Sequence, residues 1–222
     1  MPRFSIGIYH NGETAPFCST SKLTQNESFM GQNFVSITIE SPAAIGFKVG
    51  DYLTYRGRKF VLAVTPSMQK QARVNSVGNA IKYDNIKFIS VASDELTRCE
   101  FRDVVNSTTD HYNFAARTFS FHCLTLKDYA ERLKANLDRM YGGYTIKVLL
   151  DNGNTYTVGS SAPYNNNAVG EKNKVIQISN ETCWDSLQHV KADFKVNLYF
   201  DGDRTIILGA NEIGRASCRE RV

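Results

Sequence analysis

Two groups of residues in this chain have the types that thiol chemistry uses. His122 and Cys123 with Asp128 nearby supply a thiol, a base and a carboxylate, and Cys183, Asp185 and His189 supply the same set again. A nucleophilic thiol needs its base within hydrogen-bond reach and an electropositive setting that favours the thiolate. Spacing argues against both groups. Phe119 to Leu124 reads as a strand, in which adjacent residues such as His122 and Cys123 point to opposite faces. On a helix, His189 lies well off the face that carries Cys183. Asp201-Gly202-Asp203 places two carboxylates around a glycine, but calcium takes about six to eight oxygens, and hairpin-turn chemistry explains the three residues more simply. Arg56, Arg58 and Lys59 alternate with Tyr52, Tyr55 and Phe60 in the manner of a basic-aromatic strip for single-stranded nucleic acid. The same cations also guard strand edges against aggregation, which is the reading preferred here.

Phosphate-cradling glycine loops, dinucleotide fingerprints, His-Glu-x-x-His zinc motifs and nucleophile elbows are absent from the sequence. No catalytic residue, no cofactor-binding residue and no metal ligand is therefore expected. Cys18, Cys99, Cys123 and Cys183 are far apart in the chain, with no Cys-x-x-Cys. They read as small buried apolar residues of a reducing compartment. Trp184, the single tryptophan, is expected to anchor a helix in the core.

Composition bounds the rest. The chain has 222 residues, 42% hydrophobic and 22% charged, with 26 Lys and Arg against 22 Asp and Glu. That suits one or two globular domains and excludes a disordered or rod-like chain. A net charge of +4, without a basic cluster, is too weak to name nucleic acid or an anionic membrane as partner; no sequence-specific nucleic acid is expected. No apolar run approaches the roughly 18 to 20 residues of a membrane span, and the N-terminus lacks a signal-peptide apolar region, so no membrane anchor is expected and synthesis is placed in the cytoplasm.

Glu212 to Val222 stands apart. Glu-Ile-Gly-Arg-Ala-Ser-Cys-Arg-Glu-Arg-Val matches, residue for residue, one reading frame of a common short-read sequencing adapter. Residues 212–222 are therefore expected to be a non-native tail and are set aside from fold reasoning, and the natural chain is expected to run on past Asn211.

The elements that must position these residues fall into two halves, 1–105 and 106–211. The first is punctuated β-sequence: Phe4 to Tyr9, Asn33 to Glu40, Tyr52 to Tyr55, Lys59 to Val64 and Ile81 to Ser90 are β-branched or aromatic runs between turn signals. Val35, Ile37 and Ile39 alternate with Ser36, Thr38 and Glu40, so one face is buried and one wet. Short strands, with no helical periodicity before about residue 120, imply a small antiparallel barrel or sandwich. Asn106 to Asn113 is polar and is the expected boundary.

The second half uses one unit twice. Thr125 and Asp128 form a capping box ahead of a helix whose face carries Leu126, Tyr129, Leu133, Leu137 and Met140, followed by a hairpin around Asp151-Asn152-Gly153. Thr182 and Asp185 repeat the box ahead of Trp184, Leu187, Val190 and Phe194, and a hairpin around Asp201-Gly202-Asp203 follows. This is an α+β domain of two helix-plus-hairpin units. Gly159 to Lys174 is polar and aperiodic, a long exposed loop of the kind that is functional or disordered. If strands are missing beyond Asn211, an unfilled sheet edge is expected at Arg204 to Leu208.

The string Val49 to Leu62, then Tyr83-Asp-Asn-Ile-Lys-Phe88, then Glu181 to Gln188 with Phe194 and Arg204 to Gly209, resembles the N-terminal part of phage tail-tip hub proteins. These are the tail-associated, prophage-endopeptidase-like family, itself similar to baseplate hubs and to the hub of type VI secretion spikes. The resemblance covers nearly all of Met1 to Ala210. It implies a virion structural protein, a homotrimer whose β-barrels form a ring that closes the tail tube. Its partners would be copies of itself, the tail tube or distal tail protein, and a fibre or spike. It would sit in the bacterial host's cytoplasm during assembly and then at the virion tail tip. The chain itself is not expected to be an enzyme; in some relatives a lytic or peptidase domain follows the hub region. Tyr and Arg being frequent interface anchors, the contact residues expected are Tyr52, Arg56 and Arg58 in the first half and Tyr164, Asn165, Asn166 and Asn167 in the long loop. A carbohydrate- or surface-binding β-module without catalysis stays open, with Tyr164 at its binding edge. So does a thiol enzyme using Cys123 or Cys183.

Overall fold

A computed structural model of the chain describes residues 5–26, 32–72, 79–103, 105–106, 112–113, 117–123, 125–150, 153–164 and 174–210. The fold is mainly β with a few helices, as the alternation of short runs implies. Two compact units, Met1–Asp94 and Glu95–Val222, divide inside α1 (Val91–Arg98). That division lies ahead of the polar stretch in which the sequence places the boundary.

The first unit contains β1 (Ile6–Tyr9), β2 (Cys18–Thr20), β3 (Leu23–Asn26), β4 (Phe34–Ser41), β5 (Tyr52–Tyr55), β6 (Arg58–Leu62), β7 (Gln69–Ala72) and β8 (Asn79–Ser90). They make one antiparallel sheet in the order β2-β1-β5-β6-β8-β4-β3, with β7 also on β8. Its terminal strands, β2 and β3, are consecutive in the chain, so the bend at Ser21-Lys22 joins the two ends of the sheet. Thr20 completes the closure. Its hydroxyl donates to the Thr38 carbonyl of β4 at 3.0 Å and accepts the Lys22 N–H at 3.1 Å. The result is a nearly closed barrel, an arrangement that leaves little strand edge exposed.

Alternation in the strands fills that barrel. Val35, Ile37 and Ile39 of β4 point inward as expected, beside Ile8, Leu53, Phe60, Leu62, Ile86 and Phe88, and most of these are 0–1% exposed. Each such side chain contributes about 1.5–3 kcal/mol relative to exposure. The β4–β8 register slips between Ile37 and Ile39, where Asn85 takes φ 53°; a bulge of this kind bends a strand, as barrel closure requires. At one end of the barrel the buried Asp51 carboxylate ties three segments together. It accepts the Lys48 N–H at 2.7 Å and bonds His10 Nδ1 at 2.8 Å, while the Asp51 carbonyl takes the Leu62 N–H at 2.7 Å.

The sequence reading misses β2, β3 and β7, and it misses α1 because eight residues are too few to show a helical period. What marks α1 is its termini. Ser90 caps it through Ser93, and Asp94 and Arg98 sit at the ends the helix dipole favours.

The second unit contains β9 (Val105–Asn106), β10 (Tyr112–Asn113), β11 (Thr118–Cys123), α2 (Leu126–Met140), β12 (Thr145–Leu149), β13 (Thr155–Thr157), β14 (Lys174–Ser179), α3 (Cys183–Phe194), β15 (Val196–Phe200) and β16 (Thr205–Ala210). Both helix-plus-hairpin units are present. Thr182 and Asp185 form the reciprocal box at α3, and at α2 the Asp128 carboxylate takes both the Thr125 N–H, at 2.8 Å, and its hydroxyl. Leu126, Tyr129, Ala130, Leu133 and Leu137 are buried on α2, and Cys183, Ser186, Leu187, Val190 and Phe194 on α3. The two sets match position for position at an offset of 57 residues. Two expectations need correction. Met140 is 49% exposed because it lies in the last turn, beyond the buried face, and Trp184 is only half-buried because Cys183 and Ser186 occupy the inner face of α3.

β11 pairs antiparallel with β14, and the two hairpins merge into one sheet of order β13-β12-β16-β15. Here the expected open edge at Arg204 to Leu208 is overturned. β16 is an interior strand, parallel to β12 and antiparallel to β15. The segment from β13 through β14 and α3 is a crossover long enough to bring the chain back in parallel.

Candidate interaction surface

On the outer wall of the barrel, β1 and β5 meet at the pair Tyr9↔Tyr52. Because Ile8 and Leu53 face inward, both tyrosines face outward, and their rings stack at 5.3 Å between centroids and 20° between planes. The Tyr9 ring folds back over Gly7. A Cβ on Gly7 would lie 2.9 Å from the Tyr9 hydroxyl oxygen and 2.9 Å from Pro16, so any larger residue would displace the ring or the Pro16 segment. Tyr52 donates its hydroxyl hydrogen to the Glu13 carbonyl at 3.0 Å, and Lys59 Nζ sits 4.1 Å from its ring centroid. Such a cation over a half-buried ring contributes about 0.5–1 kcal/mol. Beside the stack lies an open groove of about 740 Å³ whose lining includes Thr14, Thr54, Tyr55 and Arg56 as well as both tyrosines.

The link between β5 and β6 is the tight hairpin expected there. Arg56 and Gly57 both take positive φ, 50° and 74°, between the paired residues Tyr55 and Arg58. Two central residues of positive φ make the turn whose twist matches a hairpin. Of the contact residues expected from sequence, Tyr52 and Arg56 line the groove. Arg58 does not join them: it lies on the alternate face of its strand, with its guanidinium 6.0 Å from the ring of the buried Phe60. The basic-aromatic strip therefore divides between two faces, Phe60 belonging to the core and Lys59 covering Tyr52. Tyr9 escapes the sequence reading, since its role depends on pairing with a strand more than forty residues away.

Tyr164 belongs to the second unit. Its ring packs edge-on against the buried Tyr156 of β13 at 5.1 Å, which fixes the start of the long loop to the sheet. Asn165, Asn166 and Asn167 lie outside the described residues.

The catalytic candidates come apart. His189 is exposed and bonds Glu181 at 3.1 Å, away from Cys183, which is buried against Cys99. The side chains of His122 and Cys123 lie outside the described ones. Among the described residues, no three His, Cys, Asp or Glu side chains gather in a way that could hold a metal ion, and no helix is long and apolar enough to cross a membrane.

A densely bonded polar centre among the described residues of the second unit is structural. Arg204 donates to both oxygens of the Glu95 carboxylate, at 3.0 and 2.5 Å, and Tyr144 donates to the same group at 2.7 Å. Burial and the neighbouring Glu95 charge push the Tyr144 phenol far above its ordinary value, so its proton is fixed. Arg204 also reaches the carbonyls of Tyr141 and Gly142 at the end of α2, at 3.5 and 3.3 Å, where a cation complements the helix dipole.

Comparison with known proteins bears on what this fold is used for. No family model matches the chain, and no curated protein matches it. Solved structures do match it. The prophage tail protein gp18 from Listeria monocytogenes EGD-e superposes with a TM-score of 0.57 at 10% identity, covering 95% of this chain and 52% of that one. The 43 kDa tail protein of prophage MuSo2 from Shewanella oneidensis superposes with a TM-score of 0.52 at 14% identity, covering 92% of this chain and 54% of that one. The chain thus has the fold of solved prophage tail proteins and spans about half of their length.

Proposed function

We propose that the chain is a structural component of a phage or prophage tail, and specifically part of a tail-tip or baseplate hub. The observation that carries this reading is the match of both units, over 92–95% of the chain, to two prophage tail proteins. In the arrangement proposed, three copies form a ring that closes the tail tube and joins the tube or distal tail protein to a fibre or spike. The barrel's own interior is filled, so the ring's opening lies between copies and not through any one of them. The outward Tyr9–Tyr52 stack and Arg56 supply contact surface in the first unit, Tyr and Arg being the side chains that most often anchor interfaces.

Light scattering across a concentration series tests this. A mass approaching three chains, displaced toward one chain by Tyr52→Ala with Arg56→Glu, is the expected result. A wild-type chain that stays monomeric at every concentration, and fails to associate with purified tail tubes, overturns the hub reading.

A further inference from the structure

We propose that Cys99 and Cys183 are a redox-responsive pair that closes into an intramolecular disulfide when the protein meets hydrogen peroxide. Cys99 follows α1 directly, and Cys183 is the first residue of α3. Between these segments runs a single antiparallel bridge, Glu100↔Thr182, flanked by backbone hydrogen bonds from Phe101 N to Glu181 O at 2.9 Å and from Cys183 N to Cys99 O at 2.7 Å. That pattern sets Cys99 and Cys183 directly opposite one another. Opposed positions on antiparallel segments have Cα atoms about 4.5–5.5 Å apart, inside the roughly 4.4–6.8 Å that a disulfide spans. The Cys99 thiol, which donates to the Asn136 carbonyl at 3.4 Å, and the Cys183 thiol are near enough to influence each other's ionisation.

The surroundings assign each sulfur a part. Arg139, which donates to the Glu100 carbonyl at 3.2 Å, brings positive charge to Cys99. The neighbouring Cys183 and, secondarily, that charge lower the Cys99 thiol from its ordinary value against the opposing effect of burial, which makes Cys99 the readier of the two to ionise. Cys183 is more deeply enclosed and retains its proton. Both residues are 0% exposed, so peroxide reaches them through local opening of the segments around them, which a small oxidant exploits more readily than one as bulky as glutathione disulfide. In the first step the Cys99 thiolate attacks one peroxide oxygen, the O–O bond breaks, and Cys99 becomes a sulfenic acid with release of hydroxide. In the second, the Cys183 sulfur attacks the Cys99 sulfur, the S–O bond breaks, and the thiol proton leaves with the departing oxygen as water. Overall, two thiols and one peroxide give one disulfide and two waters. The bond ties the end of α1 to the start of α3.

Peptide mass mapping of the whole chain tests this. The chain is treated with peroxide, unfolded, alkylated with iodoacetamide and digested. The expected product is a Cys99–Cys183 linked peptide pair, two hydrogens lighter than the free peptides and separated by dithiothreitol, and a sulfenic acid at Cys99 trapped by dimedone in Cys183→Ser. The wild-type result decides the matter even if that variant fails to fold. Full alkylation of both cysteines after peroxide, or linkage of either one to Cys18 or Cys123, overturns the proposal.

Discussion

Tyr129 and Ser186 hydrogen-bond to each other at 2.8 Å, and they are the same residue of the repeated unit, 57 positions apart. The strands that precede the two helices obey the same relation: Ser120 of β11 pairs with Gln177 of β14, again at that offset. A local two-fold axis therefore passes between the two halves of the repeat at β11, β14, α2 and α3. It does not extend to the hairpins, whose strands meet through the parallel pair β12–β16. The contact buries two hydroxyls in the middle of the second unit, and the Ser186 hydroxyl also donates to the Cys183 carbonyl at 3.0 Å.

Removing one hydroxyl of that pair at a time gives the first prediction. Tyr129→Phe keeps the ring stacked on Phe101 and loses only the hydrogen bond, for a cost of about 1 kcal/mol. Ser186→Ala removes a buried hydroxyl that meets the phenol and also bonds the Cys183 carbonyl, and costs about 1–3 kcal/mol. The double variant is expected to cost less than the sum of the two, measured by urea unfolding.

Asn136 is the position at which the repeat breaks. It is fully buried, accepts the Arg102 N–H at 3.0 Å and donates to the Arg102 carbonyl at 3.0 Å, meeting that backbone as a strand partner would. Its counterpart in α3, Asp193, is exposed. Asn136→Ala is expected to cost about 2–4 kcal/mol, since two backbone groups lose their partner along with the side chain. Asp193→Ala is expected to stay within about 0.5 kcal/mol, with unfolding midpoints as the check.

The Arg56-Gly57 turn yields a pair of opposite effects. Gly57→Ala places a Cβ at φ 74° and is expected to destabilise by about 1 kcal/mol. Arg56→Asn puts a residue that tolerates positive φ at 50° and is expected to stabilise by a few tenths of a kcal/mol. Thermal unfolding of both variants would test the assignment of the turn.

Cys18 sets a pH dependence. Burial and, secondarily, the Asp51 charge push its thiol from 9.0 up to about 12. The folded chain therefore holds this proton where the unfolded chain has lost it. The corresponding stability is fully present below pH 9 and is lost as pH rises from about 9 to about 12. Cys18→Ala is expected to unfold with a shallower pH slope than the wild type across that window; equal slopes would contradict the assignment.

Local signals in the chain located the elements that local chemistry specifies. The alternation of Val35, Ile37 and Ile39, the turn at Arg56-Gly57 and the Thr–Asp boxes at residues 125 and 182 each contain their own instruction within a few residues. What the sequence left dark depends on partners far along the chain. β2 and β3 are short and polar, and they are strands because they join the two ends of the barrel. β16 is interior because the chain brings it back beside β12, some sixty residues earlier, in parallel, with β15 on its other side. The candidate surface divides in the same way. Tyr52 and Arg56 were legible as an aromatic-basic strand end, whereas Tyr9 acquires its place only through cross-strand pairing, and the Cys99–Cys183 pair only through the bridge at Glu100 and Thr182.

The filled barrel has a mechanical meaning. Interiors packed at the density of organic crystals yield little under load, and this one is plugged along its length by side chains with almost no exposure. A force applied at one end is passed on to the other through these packed side chains. Packing of this kind makes the first unit stiff against compression, a property of its interior and not of its surface.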